Sequence, residues 1–371
     1  MKITYPHMGN TPIPFKTLLE GLGNEVILPP RPSKRTLDLG VKHAPEFACL
    51  PFKIVLGTMI ECLEMGAETI ITSGGVGPCR AGQYAPLQNK ILKDLGYDFE
   101  MIIFEPPSRD LAGILRSIGR ISNGKPIWEI MKHINLMWQQ VKLLDDLEYA
   151  SHQIRAREIT KGSTTRVYKE QLQKVFDAKR AKDVKVLRKE TLDAMKCIPQ
   201  DMERQVVRIG IVGEIYVVLE PASNLEIEES LGEMGATIER SMFVTGWTKS
   251  NAILDIIHMP GEKDIRQAAK PYLPEMVGGH GQDSVGHTVL FGKNGYDGVI
   301  QLAPFTCIPE IVAKSILTKV SREFNIPVLT FFLDEQTGKA GMQTRLEAFV
   351  DLLKRKKDQK GATVAWTATS V

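Results

Sequence analysis

Apolar positions in the first third of the chain come in short runs set between stretches of helical period. KITY (2–5) reads as a strand, and NEVILPP (24–30) contains a second, ended by its prolines. PFKIVLGTMIECLEMG (51–66) has a helical pattern and a glycine stop. TIITSGG (69–75) is a short apolar run closing on glycines, the pattern of a buried parallel strand. A helix around Pro86 to Leu95 then leads to a strand in FEMIIFEP (99–106). Strands alternating with helices predict βαβ units.

The middle of the chain differs. From Pro126 to Asp201 there is almost no strand signal, and Gly162 is the lone glycine. Lys, Arg, Glu and Gln interleave with Leu, Ile, Val and Met, which predicts two to four helices. QLQKVFDAKRAKDVKVLRKETL (171–192) is strongly basic. It reads as a solvated helical face, with a docking surface for an acidic partner as the sharper alternative.

The last third returns to alternation. VVRIGIVGEIYVVLEP (206–221) opens with a strand, and GVIQLAPF (298–305) and PVLTFFLDE (327–335) supply two more. Helical stretches fall near 223–235, 247–258 and 308–324, and TRLEAFVDLLKRKK (344–357) is an amphipathic closing helix. The pattern predicts an α/β protein with parallel sheets in two Rossmann-like domains, 1–120 and 206–371, and a helical segment over 121–205.

Composition narrows the class. A length of 371 residues fits two or three domains of roughly 100–200 residues. With 43% hydrophobic and 25% charged residues, the chain can bury a core that needs no staples. A net charge of +3 argues against a nucleic-acid binder, whose basic stripe dominates its charge. No apolar run reaches the roughly 18 residues of a membrane span, and the N-terminus lacks the apolar stretch of a signal peptide. The expected location is therefore the cytoplasm.

In that reducing compartment the five cysteines, Cys49, Cys62, Cys79, Cys197 and Cys307, are not expected to pair as disulfides. They lie far apart without a CxxC, so any cysteine site must be assembled by the fold. Three share a context. Cys49 stands directly before a helix, Cys79 after a strand and a glycine loop, and Cys307 after a strand and before a helix. Sites in open α/β sheets form beyond the carboxyl ends of the strands. Free N–H groups at helix starts there are expected to lower thiol pKa values and to suit thiolate ligands. Gly74, Gly75 and Gly77 would let backbone approach a bulky group, with Pro78 and Pro309 stiffening the loops. Cys62, mid-helix, reads as core, and Cys197, at a helix end, as a bystander.

ACLPFKIVLG, GGVGPCRAGQYAPLQ, GEIYVVLEP, GGHGQDSVG, GYDGVIQLAPFTCIPEIVAKSIL and LDEQTGKAGMQTRLEAFVDLL together resemble the 2-hydroxyacyl-CoA dehydratase D-component family. That family also contains benzoyl-CoA reductase subunits and double-cubane cluster proteins. The resemblance spans nearly the whole chain, is weakest over the helical middle, and is closer to a stand-alone branch that accompanies ASKHA-type activator-like proteins. It implies two flavodoxin-like domains with a [4Fe–4S] cluster in the cleft, held by Cys49, Cys79 and Cys307 with one iron left open. It also implies an ATP-dependent ASKHA-type activator as electron donor, and a homodimer or a heterodimer with a paralogous subunit. A double-cubane cluster takes six cysteines; this chain has five. No acyl-CoA specificity feature stands out.

Further residues are placed beside the trio. His280, in GGHGQDS, reads as a loop-packing histidine or a proton donor at the cluster, and His287 has a weaker claim. Glu214 and Tyr216 follow a strand end, where they either bond across domains or handle protons. Glu310 reads as a cap of its own helix. Asp334, Glu335, Arg345 and Glu347 read as one ion-pair network fixing the loop after the last strand, with a partner-binding or electron-gating role as the alternative. Arg80 either neutralises an anionic cluster or pairs with a carboxylate. Neither GxGxxG nor a P-loop occurs, so ATP use would belong to another protein.

The leading expectation is reductive catalysis or electron transfer at the cluster. One rival is a non-catalytic scaffold or maturation protein that delivers a cluster or electrons. The other is a structural zinc site on the same cysteines.

Overall fold

The computed structural model describes residues 1–75, 79–250 and 263–368. Val76, Gly77 and Pro78, and the part of the expected 247–258 helix beyond residue 250, lie outside them.

Eight strands form two parallel four-stranded sheets. The first holds β1 (Lys2–Thr4), β2 (Glu25–Val26), β3 (Thr69–Ser73) and β4 (Glu100–Phe104) in the order β2-β1-β3-β4. The second holds β5 (Val207–Gly213), β6 (Ala236–Arg240), β7 (Gly298–Pro304) and β8 (Val328–Leu333) in the order β6-β5-β7-β8. The two orders are the same. The α/β class read from the sequence holds, with two Rossmann-like sheets.

Helices α1 (Pro12–Gly21), α2 (Lys34–His43), α3 (Leu50–Glu64), α4 (Tyr84–Asp94) and α5 (Pro107–Ile121) accompany the first sheet. Alternate residues of a strand face opposite sides. Ile70 and Met101 accordingly pack with α3 and α4, while Ile71 and Ile102 pack with Leu19 of α1 and Ile121 of α5. Three long helices follow, α6 (Ile127–Ile154), α7 (Ser163–Asp177) and α8 (Ala181–Lys196), packed around Leu136, Leu143, Val175 and Leu187. The second sheet is served by α9 (Ile215–Leu219), α10 (Ile227–Glu233), α11 (Val244–Thr248), α12 (Lys263–Ala269), α13 (Gly281–Lys293), α14 (Ile308–Glu323) and α15 (Lys339–Ala368).

Helix α3 joins the two halves. Thirteen of its fifteen residues are buried, as expected of a helix apolar on all sides. Phe52, Leu56, Met59 and Ile60 lie in the core of the first sheet, while Leu50 and Ile54 lie in the core of the second. No helix among the described residues is long and apolar enough to cross a membrane.

Candidate functional site

The loops that follow β3 and β7 carry Cys79 and Cys307. Cys307 caps α14 and Cys49 caps α3, while Cys79 caps a short 3-10 turn, Arg80–Gln83, that runs into α4. Both longer helices start Cys-aliphatic-Pro, as Cys49-Leu50-Pro51 and Cys307-Ile308-Pro309. Proline is at ease there, since a first-turn N–H has no intrahelical partner to lose. In each, the backbone N–H three residues on, at Phe52 or Glu310, favours the thiolate form without closing a capping hydrogen bond.

Arg80 draws the three loops together. Its guanidinium donates to Phe47 O at 3.2 Å, to Thr306 O at 2.6 Å and to Thr306 Oγ1 at 3.0 Å. Thr306 Oγ1 in turn donates to Phe47 O at 3.2 Å. Thr306 holds φ at 69°, a left-handed backbone that a β-branched residue rarely adopts. Arg80 thus bonds carbonyls rather than a carboxylate, and its charge still favours the Cys49 thiolate.

Cys49 and Cys307 do not have the lowered pKa values expected of helix starts. Burial pushes Cys49 up to about 11, and it pushes Cys307 higher still. Loss of hydration outweighs the few N–H groups that favour the charged form. Any metal bound here must therefore displace protons.

Tyr84, which the sequence reading missed, hydrogen-bonds the Cys49 thiol through its hydroxyl and packs edge-on against Phe52 at 4.9 Å. Cys49 and Tyr84 are 35 positions apart, so no local spacing signals the pair. Glu214 caps α9 by accepting the Val217 N–H at 3.2 Å. Its charge is felt by Cys49, Cys307 and Tyr84, and burial raises it to about 7.

Glu310 is fully buried and does not cap its helix. It accepts from Ser284 Oγ at 3.0 Å and Gln301 Nε2 at 2.8 Å, and burial raises it to about 7. Tyr216 donates to His7 O at 2.9 Å, a bond between the two halves. His280 is the residue before α13, and burial lowers it to about 4. His287 packs its ring 6.0 Å from that of Phe291.

Gly75 makes its close approach to its own loop, where an added Cβ would sit 3.1 Å from Gly82 Cα. Gly77 lies outside the described residues. The four charges after β8 do not form one network. Glu335 pairs with buried Lys53 at 2.8 Å, and Asp334 accepts from Thr337 Oγ1 at 2.8 Å. Arg345 donates to Thr330 O at 2.8 Å, and Glu347 accepts from Gln343 at 3.0 Å. Cys62 is fully buried and Cys197 exposed, and all five thiols are free.

Among the described residues, no three His, Cys, Asp or Glu side chains are close enough to grip one metal ion. Cys49, Cys79 and Cys307 stand on three separate segments that Arg80 and Thr306 tie together.

A family model described as a CoA enzyme activase uncharacterised domain matches residues 7–72. The match takes in α1, α2, α3 and Cys49 and ends within β3, before Cys79 and Cys307. No curated protein matches the chain.

Proposed function

We propose that the cleft binds one [4Fe–4S] cluster through Cys49, Cys79 and Cys307. The chain then acts in low-potential reductive catalysis or electron transfer, fed by an ATP-dependent activator. One observation carries this reading: Arg80 ties together three thiol-bearing loops drawn from both sheets. A match described as a CoA enzyme activase domain is in keeping with an activase-type partner. The resemblance to dehydratase D-components gives the finer assignment, including a dimer with a copy of the chain or a paralogous subunit.

Such a cluster supplies one-electron chemistry and, at the iron no thiolate claims, Lewis acidity. The protein does the rest. Arg80 fixes the loops, and Tyr84 offers a hydrogen bond to the Cys49 sulfur. Glu214, raised to about 7 by burial, holds a proton over part of the neutral range and is our proton donor at the cleft.

One observation favours the scaffold alternative. Phe47, Phe305 and Ile308 flank the cysteines and are 69%, 58% and 57% exposed. An apolar rim of that kind suits a protein partner.

Anaerobic purification with iron, sulfide and EPR analysis before and after dithionite tests the proposal. About four irons and four sulfides per chain are expected, with the signal lost in Cys79→Ala and Cys307→Ala. One zinc per chain without sulfide sinks it.

A further inference from the structure

An open sheet ends in two edges, each a row of backbone N–H and C=O groups without a neighbouring strand. The edges here are β2 and β4 on the first sheet and β6 and β8 on the second. Three of them are blunted. Strand β2 is two residues long. On β6 the outward carbonyl of Ile238 accepts from Gln153 Nε2 at 2.8 Å, and on β8 that of Thr330 accepts from Arg345 at 2.8 Å. Each side chain closes its edge near the middle of the strand.

Strand β4 differs. Glu100 N donates to Glu68 O at 2.9 Å and Phe104 O accepts from Gly74 N at 2.8 Å, both toward β3. Alternation along the strand then turns the N–H and C=O of Met101 and Ile103 outward. Among the described residues no loop or side chain bonds those outward groups. The strand, EMIIF, is apolar apart from Glu100, which pairs with Arg120. Beside it, α5 packs Ile121 into one core with Ile102 and leaves Leu111 and Leu115 47% and 62% exposed. Free backbone and exposed apolar side chains lie next to each other at this edge.

We infer that β4 pairs with β4 of a second copy of the chain, antiparallel about a two-fold axis at Ile102, joining the two first sheets into one. The edge matches itself. With Ile102 opposite Ile102 of the partner subunit, Met101 faces Ile103 of the partner subunit and exchanges both backbone bonds with it. Every outward N–H and C=O of the two strands is then paired. Glu100 faces Phe104 of the partner subunit, so no like charges meet across the strands. A two-fold contact uses the same patch on both chains and closes at the dimer. The inference rests on the same-chain dimer of the reading above and needs no cluster. Antiparallel pairing sends the carboxyl ends of the two sheets in opposite directions, so each chain keeps its own cysteine cleft.

The test uses the full chain under reducing conditions, with sedimentation for the oligomeric state and residue-resolved hydrogen exchange for the edge. A dimer is expected, with the Met101 and Ile103 amides exchanging at least about 100-fold more slowly than free ones. That protection should vanish on dilution to the monomer, while the Ile102 amide, turned toward β3, stays slow. The register is read by oxidising the Glu100→Cys, Phe104→Cys double variant in a Cys197→Ser background. A disulfide-linked dimer should form from the double variant and from neither single one. A dimer whose Met101 and Ile103 amides exchange freely overturns the inference and leaves the dimer of that reading standing on another surface. A monomer at every concentration overturns the inference and the same-chain dimer together, and leaves the cluster to the iron and sulfide analysis. Protection that survives in the monomer overturns it too, because the chain would then cover its own edge.

Discussion

The Tyr84 hydroxyl hydrogen-bonds the Cys49 thiol, so the first residue of α4 reaches the residue that caps α3. Burial holds the phenol well above its ordinary 10, so Tyr84 stays protonated and donates to the thiolate. Losing that donor moves Cys49, already at about 11, further up. Hydrogen bonds to charged groups contribute about 1.5–3 kcal/mol. Tyr84→Phe keeps the edge contact with Phe52 and should slow iodoacetamide labelling of Cys49 at least about tenfold at pH 9 in metal-free protein. Peptide mass spectrometry reads the rate, with exposed Cys197 as internal control. An unchanged Cys49 rate would show that the contact does not tune the thiol.

Glu310 gives the fold a pH dependence. Burial raises it from 4.5 to about 7, and no cation offsets the charge. Its folded-state affinity for the proton exceeds the unfolded one, so its stabilising contribution is fully present below 4.5 and fades as pH rises through 7. A shift of this size corresponds to about 3 kcal/mol. Glu310→Gln keeps an acceptor for Ser284 and Gln301, so it should stabilise the protein by up to that amount at pH 8 and leave it unchanged at pH 4. Urea unfolding at the two pH values checks this. A gain of the same size at both would point to packing instead of charge.

What the sequence made legible follows from what can be seen locally. The apolar runs at Thr69–Ser73 and Gly298–Pro304 announced strands because both their faces are buried. Strand β6 (Ala236–Arg240) ends on Glu239 and Arg240, two charges that do not announce a buried strand. Arg240 is buried and paired with Glu148, 92 positions away on α6, and with Glu228 on α10. Helix α13 was obscured by GGHGQDSVG, read as a loop. There Gly281 and Gly286 serve close packing against Pro309 and Ile265. Three cysteines in similar loops were visible from context alone, whereas Tyr84 and Arg80 gained their roles only when the fold brought 35 and 226 positions of separation down to hydrogen-bond distance.

Lys53 is 3% exposed and, among the described residues, is paired through Glu335 alone, at 2.8 Å, from the loop after β8. Removing the acid leaves an ammonium buried without a partner, which costs about 3–5 kcal/mol. Removing the lysine in favour of an apolar side chain of similar length is often neutral. Glu335→Ala should therefore destabilise by about 3 kcal/mol and Lys53→Met by far less. Chemical denaturation of both variants measures the asymmetry. Equal losses would mean that the pair itself, and not the cost of a stranded charge, governs this contact.

Helix α3 belongs to both cores, so the two sheets should unfold as one unit. Ile54 lies with Ile211, Ile300 and Phe331 in the core of the second sheet, although its helix leads into β3 of the first. Truncating a buried isoleucine to alanine costs about 2–5 kcal/mol, depending on how far the cavity collapses. If the halves were independent, Ile54→Ala would accelerate hydrogen exchange in β5 and β7 alone. Because Phe52, Leu56 and Met59 bind the same helix to the first sheet, loosening one face tilts the element that carries the other. Native-state exchange should therefore rise together in β3 and β7, with one cooperative urea transition. Faster exchange confined to β7 would separate the sheets, and the position of Cys49 relative to Cys307 would then depend on Arg80 and the bonds between the loops.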